Sequence, residues 1–308
     1  MFRGERTRRD GVILILLSVL GYSIFPLWVR ALSDTGMGAI EIATWRFALA
    51  APMVWLAVTL RGRQPMRVPL PRRALLLTGT LMTLAAVTGV AGLQLIPAAV
   101  YVLLFYCYPA IVALISALRG ERLARAEWFA LGLTLVGIAL TMPDLGAGLQ
   151  AGGNALGVVF ALINALAVAI YYVITARLLD RCDDTPRASA FSVTGALIPL
   201  LVFALVQRIT IPSDPTMWLT LAGFAFFSSV LPMVTLNAGI QRLGPSRAAI
   251  LSMVEPLLTL TWSFLLLGDI ILPMQLVGGA LILGSLVLLQ LRQLRTPGAV
   301  LPVEPTTL

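Results

Sequence analysis

Residues Ser246 to Leu267 read SRAAILSMVEPLLTLTWSFLLL. The segment is long and apolar enough to cross a bilayer, which takes roughly 20 residues over about 30 Å of hydrocarbon, yet Glu255 stands near its middle. Pro256 follows directly; it lacks a backbone donor and loosens the helix beside the acid. Ser252, Glu255, Thr259, Trp262 and Ser263 recur at helical period and share one face, while Leu, Ile and Met hold most of the other. That polar face is expected to look into protein or water. An ionisable side chain at this depth is a functional-site hypothesis by default. The structural alternative is a protonated acid bonded to a neighbour's backbone.

Working outward, the 308 residues are 59% apolar and only 12% charged, a composition that an ordinary soluble domain could not bury. Repeated stretches of spanning length with short connections imply an all-α polytopic membrane protein and leave no room for a separate soluble domain. The chain has no Lys and no His, so all 22 positive charges are Arg. That excludes a His-based triad, an HExxH zinc site and a Schiff-base lysine. Cys107, within a span, and Cys182, in a polar loop, suggest neither a disulfide nor a metal site. No metal and no cofactor are expected. The net charge of +8 does not indicate nucleic acid, because the arginines are spread between spans and not clustered on one soluble surface.

Ten spans are predicted, at about residues 11–32, 39–60, 74–95, 97–118, 126–142, 155–177, 188–207, 216–241, 246–267 and 272–291. With these spans, 19 arginines fall on one side and only Arg30 and Arg208 on the other, with Arg46 inside the second span. The skew places both termini in the cytoplasm of a cell whose inner membrane holds the chain. The basic start MFRGERTRRD before an apolar run resembles a signal peptide, with a conceivable cleavage after Ala31-Leu32-Ser33, but Gly11 to Leu32 already has full spanning length and is read as an uncleaved first span. The last stretch, TPGAVLPVEPTTL, lacks apolar periodicity and is expected to be a disordered tail.

A weak repeat relates the halves. A spacing of 147 residues aligns Pro109 with Pro256 and, approximately, Gly120-Glu121 with Gly268-Asp269; the first span of each half begins Gly-Val, at Gly11-Val12 and Gly157-Val158. Five spans per repeat, an odd number, set the second copy upside down relative to the first, an arrangement used by transporters with a midplane site between the halves. The expected division is residues 1–10 as a cytoplasmic tail, 11–142 and 155–291 as two inverted five-helix repeats, 143–154 as an external linker, and 292–308 as a cytoplasmic tail.

Three stretches carry a family resemblance: TWRFALA around Arg46; PAAVYVLLFYCYPAIVALISALRGERL from Pro97 to Leu123; and GPSRAAILSMVEPLLTLTWSFLLLGDII from Gly244 to Ile271. They resemble the drug/metabolite transporter superfamily, specifically its EamA-type ten-span members. The resemblance covers nearly everything from Gly11 to Gln290 and implies a 5+5 inverted-repeat fold that moves small metabolites, often exporting amino acids or related compounds. It also implies that Gly21-Tyr22-Ser23-Ile24 borders the central cavity, which makes Tyr22 a candidate substrate-binding residue. Two features depart from the family pattern: this stretch lacks the aromatic-small pair followed by Asn, and Asp269 stands where Glu is usual.

Other candidates come from spacing. Tyr101, Phe105 and Tyr108 recur on span four; Asn164, Tyr171 and Thr175 recur on span six. Such stripes could line a shared cavity or simply pack helices. On span eight, Ser228, Ser229, Thr235 and Asn237 add polar atoms, which in membranes also serve as bonds across helices. The candidate substrate-binding set is Tyr22, Tyr101, Phe105, Tyr108, Asn164, Tyr171, Asn237 and Glu255. Arg46 keeps its charge and needs carbonyls, another span or the outer interface as partner; it is read as a structural anchor, with capture of a substrate carboxylate as the second reading. Gly278, Gly279, Ala280 and Gly284 permit close helix approach, inside the fold or across a homodimer. The expected function is secondary transport of a small-molecule substrate across the lipid bilayer by alternating access. No GxxxxGK[ST] stretch is present, so ATP is not the direct energy source. An intramembrane lipid-modifying enzyme is the alternative class, and proton coupling the alternative to facilitated transport.

Overall fold

The computed structural model describes residues 2–62, 68–96, 98–120, 124–141, 154–180, 182–207, 209, 211–212, 214–267 and 272–295. Regular structure among them is helical throughout. In chain order the helices are α1 (Phe2–Ser23), α2 (Phe25–Ser33), α3 (Ala39–Leu60), α4 (Arg72–Leu95), α5 (Ala98–Phe105), α6 (Tyr108–Leu118), α7 (Arg125–Thr141), α8 (Ala155–Leu179), α9 (Thr185–Gln207), α10 (Pro215–Ala225), α11 (Leu231–Leu243), α12 (Pro245–Ser252), α13 (Glu255–Trp262) and α14 (Pro273–Arg295). A π turn, Phe226–Val230, joins α10 to α11, and a second, Ser263–Leu267, follows α13. Joined across short breaks, these make ten runs at the predicted places. Among the described residues six runs are by themselves long and apolar enough to span; Leu103–Leu118, Glu127–Leu140 and Pro273–Ser285 are shorter apolar helices. Large apolar side chains such as Leu60, Leu118, Phe129, Leu205, Leu219 and Leu266 are exposed, as expected where lipid is the solvent.

Contact registers give the relative directions of the runs. On spans three and seven, Thr78 meets Ser192 and Thr83 meets Ala196, so the two are parallel. Spans three and six meet at Gly92 with Ala161 and Gly157 with Ile96, so they are antiparallel, as are spans one and eight, where Ile15 packs on Gly239 and Gly21 on Pro232. Spans one and nine are parallel, since Arg8 lies near Arg247 while Ser23 bonds to Thr259 and Trp262. Each relation is the one that strict alternation of ten spans requires.

The protein is an all-α polytopic membrane protein with two inverted five-helix repeats. Its packing follows the inversion. Span one on span eight mirrors span six on span three; span four on span six mirrors span nine on span one; spans two and seven, four and nine, and five and ten pair with their own counterparts. Spans three and seven come closest. A Cβ on Gly79 would stand 2.1 Å from the Ser192 carbonyl oxygen, and one on Gly195 would stand 2.0 Å from that of Leu76. The small-residue stripe of span ten is likewise used within the chain, where a Cβ on Gly137 would lie 2.7 Å from the Gly278 carbonyl, whereas Gly284 faces open space.

Packing differs between the two ends of the bundle. Near Arg8, Glu127 and Arg247, α6 packs on α12, and α8 packs on α11 and α12. At the opposite end α2 packs mainly on α1, α3 and α10, while α5 packs mainly on α4, α7 and α8, two groups with no helix in common. The first end is closed across the bundle. The second is divided between two clusters, one holding Leu32, Ile42, Leu221 and Phe224, the other Ile96, Val100, Tyr101 and Ala161. Asp214 caps α10 by accepting from the Thr216 amide at 2.8 Å and the Thr216 hydroxyl at 2.6 Å, which holds its carboxyl below the usual range.

Candidate functional site

Span nine does not run as one helix. α12 ends at Ser252, and Met253 and Val254 form a turn tightened by bonds from the Met253 amide to the Ile250 carbonyl and from the Val254 amide to that of Leu251. α13 then starts at Glu255 with Pro256 second, where the missing N–H of proline costs no helical bond. Span four breaks in the same way: Tyr106 and Cys107 separate α5 from α6, which starts at Tyr108 followed by Pro109. Tyr108 and Glu255 therefore hold equivalent places in the two halves.

Glu255 is half-buried, and among the described residues nothing donates a hydrogen bond to its carboxylate. Tyr22, Tyr106, Tyr108 and Tyr172 lie close enough to feel its charge. No described cation stands among those near neighbours. Tyr22 and Phe105, like Glu255, are partly exposed, and they mark a site at mid-depth; Arg46, also partly exposed, lies against span eight. The aromatic wall of that site is continuous: ring centroids are 5.2 Å apart for Phe105 and Tyr106, 5.3 Å for Phe105 and Tyr108, and 5.6 Å for Tyr108 and Tyr172. The Tyr172 hydroxyl is held 3.0 Å from Ser252 Oγ, which ties span six to the end of α12.

The other candidates lie in helix seams. Tyr101 and Asn164 are buried; the Asn164 amide donates to the Tyr101 hydroxyl, and the pair sits over Gly89 and Gly92 of span three. Tyr171 and Asn237 are almost completely buried: the Tyr171 hydroxyl donates to Asn237 Oδ1 at 2.7 Å, and Asn237 Nδ2 donates to Ser189 Oγ at 2.9 Å. Four of the eight candidates, Tyr101, Asn164, Tyr171 and Asn237, are thus bonded across helices. Tyr22, Phe105, Tyr108 and Glu255 come together near the paired helix breaks. Spacing along the chain did not pick out Tyr106 or Tyr172. Tyr106 lies in the break that resets the helical phase of span four, and Tyr172 directly follows a residue already assigned to a stripe.

Arg46 reaches span eight. Its Nε donates to Ser229 Oγ and one Nη donates to the Ser228 carbonyl, both in the π turn. A π turn displaces carbonyls from their helical partners, and the guanidinium meets one of them. The rings of Phe25, Phe47 and Phe224 lie 4.9, 5.2 and 5.0 Å from its carbon. The turn also answers the break in span one, since Ser228 Oγ donates to the Gly21 carbonyl at 3.0 Å. Span nine completes that support: Thr259 donates to the Ser23 carbonyl at 3.2 Å and Trp262 Nε1 to Ser23 Oγ at 3.0 Å. Of the predicted polar face on span nine, Ser252, Thr259 and Trp262 therefore bond to neighbouring spans, whereas nothing among the described residues bonds to the Glu255 carboxylate; the side chain of Ser263 lies outside the described residues.

At the closed end Arg247 Nε donates to Glu127 Oε1 at 3.1 Å, and Glu127 Oε2 accepts from the Ala124 amide at 2.7 Å. Gly120 has φ +92°, the left-handed conformation suited to ending α6. Glu121, Gly268 and Asp269, the rest of the two Gly-acid endings, lie outside the described residues.

The model of the EamA-like transporter family matches residues 9–142 and again residues 155–291. The chain belongs to the EamA-like transporter family. Among its relatives, the uncharacterised transporter YcbK of Bacillus subtilis is 25% identical over 94% of this chain and 96% of its own. An uncharacterised transporter of Archaeoglobus fulgidus is 27% identical over 71% of this chain and 76% of its own. A third, sll1319 of Synechocystis, is 28% identical over 68% of this chain and 64% of its own. One solved crystal structure shares the fold, with a TM-score of 0.79 at 19% identity over 94% of this chain and all of that one. An EamA-like protein with a carboxylate and an aromatic wall at the paired helix breaks has the parts to bind a small polar molecule.

Proposed function

We infer that the protein is a secondary transporter that moves a small amine-bearing metabolite, an amino acid or related compound, by alternating access, with export as its working direction. The observation that carries this reading is Glu255: a carboxylate without a hydrogen-bonding partner among the described residues, at the start of a broken mid-span helix, in the neighbourhood of Tyr22 and Tyr108. Such half-helices at midplane are where inverted-repeat transporters hold substrate. The working division is 11–142 and 155–291 as the two repeats, in a cell inner membrane with both termini cytoplasmic, as the arginine skew favours. On that orientation the closed end is cytoplasmic and the divided end faces out. A homodimer would use the open face around Gly284 of span ten.

Facilitated or exchange transport is preferred, because one acid without a second mid-span carboxylate is a short relay. Proton coupling is the second reading, favoured by the same unpartnered acid. Flux into liposomes with and without an imposed pH gradient, for the wild type and Glu255→Gln, separates them. Saturable flux with trans-stimulation, little driven by the gradient and lowered in the variant, is the expected result. Strong gradient-driven accumulation that disappears in Glu255→Gln would establish coupling, and unchanged flux would remove Glu255 from the mechanism. Turnover of a lipid without vectorial movement would replace transport by the enzyme reading.

A further inference from the structure

Immediately around Glu255 the described side chains bring no opposite charge. The groups nearest to it are four phenols, on span one (Tyr22), span four (Tyr106 and Tyr108) and span six (Tyr172). A carboxylate removed from water gains most from a cation that can also donate hydrogen bonds. Aromatic rings arranged around it attract the same cation through their faces, and the attraction grows as water is excluded. Phe105, edge-on to Tyr106 and tilted against Tyr108, extends the wall with apolar surface for the body of such a ligand.

A zwitterionic amino acid would also need a cation for its own carboxylate. Arg46 is the described cation at this depth, but its Nε and one Nη are bound to Ser229 and the Ser228 carbonyl, and three phenylalanine rings surround its guanidinium. Tyr22 lies close enough to feel both Arg46 and Glu255, but the guanidinium's bonds turn it to span eight. A carboxylate attached one carbon from a bound ammonium would therefore be held near Glu255 with nothing to offset the repulsion. We propose that Glu255, ringed by Tyr22, Tyr106, Tyr108 and Tyr172, is an ammonium subsite, and that it selects cationic amines with an aromatic or apolar body over zwitterions and anions. The proposal rests on the transport reading for its location and, among the amine-bearing compounds named there, sets cationic amines ahead of amino acids themselves.

Binding to the purified full chain in lipid nanodiscs tests it without relying on flux. The probes are phenethylamine, phenylalanine and 3-phenylpropionate, which share a ring and differ in charge, together with hexylamine, which lacks the ring. Phenethylamine should bind at least about tenfold more tightly than phenylalanine, and 3-phenylpropionate should not bind measurably. Glu255→Gln should weaken phenethylamine by about tenfold or more, with Glu255→Asp retaining part of the affinity. Tyr106→Phe, which keeps the ring, should cost no more than about threefold, while Tyr106→Leu should cost about fivefold or more. Size-exclusion profiles identify variants that fail to fold, and the two single-residue series are read only against folded protein. Equal or tighter binding of phenylalanine overturns the proposal, as does amine binding indifferent to Glu255→Gln, or no binding of either amine. Selective amine binding without any flux would leave the subsite standing and defeat the transport reading; saturable flux of a zwitterion or anion would do the reverse.

Discussion

Spans four and nine are built alike and equipped differently. Each stops being helical for two residues, Tyr106-Cys107 in one and Met253-Val254 in the other, and each resumes at a residue followed by proline. The resuming residue is Tyr108 in span four and Glu255 in span nine. Backbone geometry has thus been kept in both halves, while the ionisable group is present in only one. A pair of facing breaks can close from either side, but the carboxylate stays with one wall.

The largest expected effect comes from exchanging chemistry at the two equivalent positions. Glu255→Gln should lower apparent affinity for an amine substrate about thirtyfold, because removing one member of a buried charged pair costs about 2–5 kcal/mol. Tyr108→Phe should change it by no more than about threefold, since the ring remains. Similar losses in both variants, measured as concentration-dependent flux, would mean that the halves are chemically as well as structurally matched. The prolines come next. Pro109→Ala and Pro256→Ala each restore a donor beside a break and should slow flux by a similar factor of about three to ten, on the scale of a coupling free energy of about 1 kcal/mol. A strong effect at one proline alone would show that a single break moves.

Smaller effects belong to the ends and seams. Glu127→Gln removes the ion pair with Arg247 at the closed end. The pair is partly exposed, so thermal stability should fall by no more than about 1 kcal/mol. Labelling of single cysteines introduced near residue 247 should rise if the pair helps keep that end shut, and unchanged labelling would assign closure to apolar packing alone. Tyr171→Phe is the mildest. It deletes the bond to Asn237 inside a seam, and such bonds in membranes average about 0.6 kcal/mol, so melting should move little and substrate affinity not at all. A marked loss of affinity would return Tyr171 to the cavity.

Much of this architecture is legible in the chain itself. Apolar run length gives the ten spans, the arginine skew gives alternation, and two prolines at one spacing give the paired breaks. Glu255 is legible because an acid at mid-span has few bland explanations. The seams are harder. Helical period says that Tyr101 and Phe105 share a face of span four, but not that glycines at Gly89 and Gly92 let span three press against Tyr101 alone. Tyr171 and Tyr172 are consecutive, and only the positions of spans eight and nine decide that one bonds to Asn237 while the other reaches Ser252. Arg46 shows the same limit, since its need for a partner is evident from its depth, whereas the π turn that supplies the partner has no proline or glycine within Phe226–Val230 to announce it.

The contact of Gly79 and Gly195 reaches beyond its two glycines. Spans three and seven, from opposite halves, meet there backbone to backbone, with no room even for a methyl group. On the alternating-access reading, two helices so joined would travel together, which would make the moving body a mosaic of both repeats and different from either stretch of sequence that recurs. If the chain arose by gene duplication, the copies became interdependent as soon as they interlocked in this way. Neither would retain a complete moving part alone, and a substitution in one copy would be felt as a change in the gait of both.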